Sequence, residues 1–163
     1  IGSSCTCRRS FDQGLEKKIQ VIEEGIRLHR PDPKDPLDVL AKVGGLDLAA
    51  LAGFYIGCGA RGIPVVLDGL ITGAAALAAV RLCPPVRDYL LASHVTAEPA
   101  GRQVLNSLGL KPVIDAGMCL GEGCGAAALF PLLDMAGEVY SRMATFQEMQ
   151  VEQYERFERG TWG

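Results

Sequence analysis

The chain has 163 residues, 48% hydrophobic and 21% charged, with 20 glycines, which is enough apolar material for one cored domain and too little length for two ordinary ones. That composition excludes a disordered or low-complexity chain. Sixteen basic against nineteen acidic residues give a net charge of -3, without the basic excess of a nucleic-acid or anionic-membrane binder, so neither is expected as a partner.

The first ten residues show no hydrophobic period and are expected to form an irregular segment, 1–10, ahead of a single α/β domain over 11–163. From Phe11, Leu15, Ile19, Ile22, Ile26 and Leu28 recur at helical spacing among charged residues, which predicts an amphipathic helix. The prolines at 31, 33 and 36 end it in an extended link. A short helix over 37–43 is predicted next, stopped by Gly44-Gly45, then one over 46–60 that is apolar nearly all round and so expected to be buried on most sides.

A rhythm of apolar strand, polar loop and helix follows. Residues 63–67 end at Asp68-Gly69 and lead into a helix over 70–82; Pro64, Asp68 and Arg81 interrupt this stretch, so it is not a membrane span. Residues 89–92 end at Ser93-His94-Val95-Thr96 and lead into a helix over 97–108, and residues 112–114 cross a glycine-rich loop, 117–123, into a helix over 124–139. Three such units predict a three-layer, Rossmann-like α/β fold: a parallel sheet with helices on both faces. The tail from Met143 is helical in pattern but polar.

Six cysteines in so aliphatic a chain read as reduced thiols rather than a disulfide framework. Cys58 and Cys83 fall in apolar helical patterns as small hydrophobes. Cys5, Cys7, Cys119 and Cys124 lack the usual zinc-knuckle spacing, so neither metal nor cofactor is expected. No secretory signal opens the chain, and a cytoplasmic location is expected.

Ligands of an open parallel sheet bind at the carboxyl ends of its strands, where loops and helix N-termini collect. Asp68, the 93–96 loop and Glu122 all fall there. Asp68 is either a helix cap or a site residue. Glu122, flanked by Gly121 and Gly123, is either a carboxylate favoured by the following helix dipole or a general base in a partly dry crevice. Thr96 either caps the helix after it or, with the free N–H groups beyond, holds a phosphate. The G-x-G-x-x-G match at 57–62 follows a helix rather than a strand, so it reads as a helix ending and not a dinucleotide loop. His94, with no cysteine nucleophile or serine elbow beside it, reads as a hydrogen-bonded structural histidine.

The segments "KVGGLDLAALAGF", "IPVVLDGLITGAAALAA", "VRDYLLASHVTAEPAGRQVLNSLGLKP" and "GMCLGEGCGAAALFPLLDMA" together resemble the C-terminal half of the nicotinate-nucleotide:dimethylbenzimidazole phosphoribosyltransferase family, from about Gly14 to Glu152. That family transfers phosphoribosyl from nicotinate mononucleotide to 5,6-dimethylbenzimidazole, giving α-ribazole phosphate and nicotinate in cobalamin nucleotide-loop assembly. The resemblance implies that Glu122 is the catalytic base taking the benzimidazole proton, that Lys18 faces the nucleotide phosphate or ribose, and that Thr96 keeps the phosphate-facing hydroxyl. It further implies that Asp68 lies near the substrates and that Leu120, Gly121 and Gly123 border them. It also implies a homodimer, or a partner chain supplying the family's N-terminal half with its other phosphate loop. The family's "GRGTG" run is replaced here by Cys5-Thr6-Cys7-Arg8-Arg9-Ser10, and the expectation is a fragment or truncated relative, active or retained as a noncatalytic binding or oligomerisation module.

Overall fold

The computed structural model describes residues 11–152. Helix α1 spans Phe11–His29, α2 Pro36–Val43 and α3 Leu46–Ala60; β1 is Val65–Leu67, followed by α4 at Leu70–Leu82. A 3-10 turn at Pro84–Tyr89 leads into β2, Leu90–Ala92, then α5 at Gly101–Leu108 and α6 at Cys124–Arg142. Irregular segment 1–10, with Cys5 and Cys7, lies outside the described residues, as does the tail beyond 152.

The helix ends follow local chemistry. Asp35 opens α2 by accepting the Leu37 and Asp38 N–H groups, with Pro36 at the first helical position, where its missing N–H costs nothing. Helix α3 stops at Gly62, whose φ of 69° suits glycine; there the Ile63 N–H returns to the Cys58 carbonyl and the Gly62 N–H to that of Gly59. The G-x-G-x-x-G match is thus a helix ending. Helix α5 closes the same way at Gly109, with φ 64°, and Arg87 donates to the freed carbonyls of Leu108 and Gly109 at 3.1 and 2.7 Å.

The core forms where α3, α4, β1, β2 and the 3-10 turn meet, around Ala52, Tyr55, Leu67, Ala75, Ala76, Ala79, Val86 and Leu90. Alanines on the inner face of α4 allow close approach to α3, and Gly73 brings α4 against Val104 of α5, where an added Cβ would lie 3.0 Å from Val104 Cγ1. Burial of Tyr55 pushes its phenol above the ordinary tyrosine range.

Strands β1 and β2 pair in parallel with Val65, Val66 and Leu67 opposite Leu90, Leu91 and Ala92. The fold is α/β and helix-rich, with a small parallel sheet. Residues 112–114 join it in the expected direction through one bridge, His94 to Ile114, and the bonds Val113 N–H to Ala92 O and Ile114 N–H to Ser93 O. They do not extend it into a third ladder strand: the sheet is two-stranded among the described residues. Its Val65, Leu67, Leu90 and Ala92 face is buried, whereas Leu91 on the other is 38% exposed. Helices on both faces of a wider sheet are therefore not what the described residues form.

Three other expectations change. Helix α5 begins at Gly101 rather than Ala97, because a residue before proline is disfavoured in helical conformation and Glu98 precedes Pro99. Helix α3 buries only Ala52, Tyr55 and Cys58 and leaves Leu46 92% exposed, so its apolar surface is wider than its packing. After α6 the tail makes no helix as far as Glu152. Thr145 and Glu148 cap one turn reciprocally, and Gln150, at φ 55°, ends it. Pro131 lies inside α6, of which only Gly125 and Leu129 are buried.

Leu67, the last residue of β1, is 1% exposed within the core. Leu67→Ala is expected to cost about 2–5 kcal/mol, read as a lower urea midpoint at unchanged slope. Separately, the Lys42 ammonium hydrogen-bonded to Asp38, helped by the Asp32 N–H, holds the Asp38 carboxyl below its ordinary value. The sign follows: this stabilisation is present above the ordinary carboxylate pKa and lost as pH falls through the lowered one. In a carbon-detected titration, Lys42→Met should return Asp38 toward the ordinary value.

Candidate functional site

Three loops converge where the parallel strands end. The first begins at Asp68, directly after β1. Its backbone N–H donates to Thr72 Oγ1 at 3.0 Å, and that hydroxyl donates to the Gly69 carbonyl at 2.8 Å, so the chain leaves the strand in one orientation. The Asp68 carboxylate crosses 55 to 58 residues of sequence to α6: Oδ2 accepts the Gly123 N–H at 3.0 Å, and Oδ1 accepts those of Gly125 at 3.0 Å and Ala126 at 3.1 Å. Asp68 is a helix cap, but of α6 rather than of α4, the helix that follows it.

The second loop is anchored by Ser93, which is fully buried. Its N–H and hydroxyl both donate to the Leu67 carbonyl, at 3.1 and 2.6 Å. With its proton so committed, the Ser93 hydroxyl accepts from His94 Nδ1 at 3.1 Å, which assigns the Nδ1–H tautomer. His94 is 3% exposed, in keeping with a structural histidine. Its ring lies against Gly125 so closely that a Cβ there would overlap it. Thr96 does not cap α5. Its hydroxyl accepts the Glu98 N–H at 3.4 Å and donates to Glu98 Oε2 at 3.3 Å, and its methyl sits where a side chain on Gly101 would be.

The third loop, 117–123, is tied to the second by the Ala97 N–H donating to the Met118 carbonyl at 2.8 Å. Arg102 and Asp115 pair across the same edge at 2.7 Å. Gly117 and Gly123 have φ of 63° and 80°, and no atom beyond the adjoining residues lies within 4 Å of where a Cβ would stand on Gly117, Gly121 or Gly123. The loop therefore presents bare backbone to solvent. Leu120 is 57% exposed beside it. Glu122 is exposed as well, so the described residues alone do not make a dry crevice around it. Nor does its carboxylate cap α6: the Gly123, Gly125 and Ala126 N–H groups go to Asp68.

Asp68, Thr96, Leu120, Gly121, Glu122 and Gly123 thus sit on loops of one connected edge. Lys18 does not join them by any hydrogen bond or ion pair among the described residues; it lies exposed on α1, which packs on α2. The cavity bordered by Asp68, His94, Thr96 and Gly101 measures about 10 Å³, room for one water and not for a nucleotide. Sequence reasoning missed Ser93 as the anchor of this edge and Gly125 as the seat of His94. The glycine-rich "GEGCG" run was the available signal for Gly125, while nothing in the sequence marks Ser93's partner, the Leu67 carbonyl. No three His, Cys, Asp or Glu side chains gather into a metal-binding group among the described residues, and none of their helices is long and apolar enough to cross a membrane.

Gly125 gives a test with an inverted sign. Glycine-to-alanine in a helix ordinarily stabilises by about 1 kcal/mol, whereas Gly125→Ala must displace the His94 ring and is expected to destabilise by about 1–3 kcal/mol. Thermal unfolding measures it.

A family model described as phosphoribosyltransferase matches residues 7–151. The nicotinate-nucleotide–dimethylbenzimidazole phosphoribosyltransferase of Acetivibrio thermocellus is 46% identical over 144 residues, covering 88% of this chain and 41% of that protein. That of Desulforamulus reducens is 51% identical over 140 residues, covering 86% and 40%. The crystal structure of the Thermus thermophilus enzyme of that name matches with a TM-score of 0.79 at 42% identity, over 88% of this chain and 43% of that one. The chain therefore spans about 40% of the length of the curated relatives it matches.

Proposed function

The chain belongs to the nicotinate-nucleotide:dimethylbenzimidazole phosphoribosyltransferase family, and on that footing we propose that it carries the catalytic base of phosphoribosyl transfer from nicotinate mononucleotide to 5,6-dimethylbenzimidazole, a step of cobalamin nucleotide-loop assembly. One benzimidazole nitrogen attacks the ribose anomeric carbon. The bond from that carbon to the pyridine nitrogen breaks, and nicotinate leaves with the electron pair. Glu122 takes the proton from the other benzimidazole nitrogen, leaving the benzimidazole ring of α-ribazole phosphate uncharged.

One observation carries this reading. Three N–H groups at the start of α6, those of Gly123, Gly125 and Ala126, are taken by Asp68 and not by Glu122. Glu122 is thereby left on an open glycine loop with its carboxylate available to a ligand. Gly121 and Gly123 let a planar base approach the backbone, Leu120 supplies apolar contact, and the Thr96 hydroxyl turns from Glu98 to the substrate phosphate.

The walls that dry the site come from the rest of a longer protein or from a second chain. Leu15, Ile19, Ile22 and Ile26 line one stripe of α1 and are each 46% to 61% exposed, and Phe130, Leu133 and Met135 are exposed on α6. Such stripes favour association, as a homodimer or with a partner chain, and an association that brings α1 over the loops would carry Lys18 to the nucleotide. Further strands beside β1 and β2 would complete the three-layer, Rossmann-like sheet. A cytoplasmic location suits the exposed, free Cys119 and Cys124. The second reading, a noncatalytic binding or oligomerisation module, draws on the same exposed stripes.

Nicotinate release from nicotinate mononucleotide and dimethylbenzimidazole, assayed on this chain and on a longer form of it, separates the two. In the active form, Glu122→Gln is expected to lower the turnover number by roughly two to four powers of ten with nicotinate mononucleotide saturation little changed. Unchanged turnover would remove Glu122 as the base.

A further inference from the structure

We propose that Asp68 is the residue that positions Glu122, acting through the backbone rather than on the substrate; this rests on Glu122 being the base. The Gly123 N–H that Asp68 Oδ2 accepts at 3.0 Å belongs to the peptide unit whose carbonyl is that of Glu122. A peptide unit is planar, so holding its N–H fixes the orientation of the whole plane and with it the Glu122 Cα. Oδ1 meanwhile accepts the Gly125 and Ala126 N–H groups at 3.0 and 3.1 Å, so the plane after Glu122 and the first turn of α6 are registered to one carboxylate.

That carboxylate is itself rigidly mounted. The Leu67 carbonyl just before it holds two bonds from Ser93, and the Asp68 N–H is held by Thr72. On the far side, His94 abuts Gly125. At its far end the loop is tied, among the described residues, only by the Ala97 N–H on the Met118 carbonyl, and no atom beyond the adjoining residues lies within 4 Å of the Cβ positions of Gly117, Gly121 and Gly123. A carboxylate accepts about four hydrogen bonds, and three of Asp68's are taken by α6. It is thereby a poor candidate for a direct substrate ligand and a good one for a strut.

Asp68→Asn, which keeps the shape but weakens the acceptors, and the milder Thr72→Val, which frees the Asp68 backbone, test the proposal together. Amide hydrogen exchange on this chain should quicken about tenfold to a hundredfold at Gly123, Gly125 and Ala126 in Asp68→Asn, less in Thr72→Val, with Val66 and Leu91 unchanged. In the active form, Asp68→Asn should lower kcat about tenfold to a hundredfold with KM for nicotinate mononucleotide altered less than about twofold. Asp68→Glu, whose longer arm displaces the plane, should not rescue it. In the Glu122→Gln background, Asp68→Asn should lower the rate no further.

Exchange that quickens uniformly through the core, or an undiminished kcat, would overturn the proposal. So would a full additional loss in the double variant, which would place Asp68 on the substrate. If Glu122→Gln alone keeps full activity, the base assignment fails by itself, and the exchange pattern still decides whether Asp68 holds the loop.

Discussion

A single carboxylate at the end of a three-residue strand receives three backbone N–H groups from a helix that begins more than fifty residues later. The geometry of the edge depends on this contact. A carboxylate is a stronger acceptor than a carbonyl or hydroxyl, and at a helix N-terminus it also meets the positive end of the macrodipole. The neighbouring ties are weaker and add to it: Ser93 to Leu67, Ala97 to Met118, and the His94 ring against Gly125. Together they let a loop of bare glycines keep a shape that its own side chains could not give it.

What lies behind the edge is built from small residues. Ala75, Ala76 and Ala79 on α4 are fully buried, and tight backbone approach supplies dispersion contact where large side chains are few. A core of this kind is compact in volume but covers little surface. Large apolar residues on α1, α3 and α6 therefore remain outside it, Leu46, Phe54 and Met135 among them. A chain spanning about 40% of its relatives' length would be expected to leave such faces for other elements to cover.

Periodicity and stop signals suffice for the first four helices, and the family is legible only through the resemblance of whole segments such as the one running through "GMCLGEGCG". Pro31 and Pro33, Gly44 and Gly62 are covalent restrictions that act whatever the chain packs against, so α1 to α4 fall within a residue of where the pattern puts them. Readings that required knowledge of a distant partner, or that ran a helical pattern through a proline, fared worse. Residues 112–114 have strand composition yet make one bridge, since a ladder needs a neighbour of matching register. The start of α5 is moved by Pro99, whose effect on Glu98 outweighs the helical pattern over 97–100. At the site, Glu122 is marked by its flanking glycines. The use of Asp68 was half legible: capping was one of its two readings, but the helix it caps lies far along the chain, and local sequence carries no trace of that.

Pro131 divides α6. Lacking an N–H, it cannot bond the Ala127 carbonyl one turn back, so the ladder of the helix is interrupted there. Before that break lie Gly125 and Leu129, the buried residues of the helix; after it lie Met135, Val139 and Tyr140, all exposed. The proline thus parts an inner arm seated on the site edge from an outer arm whose apolar side chains have no seat among the described residues.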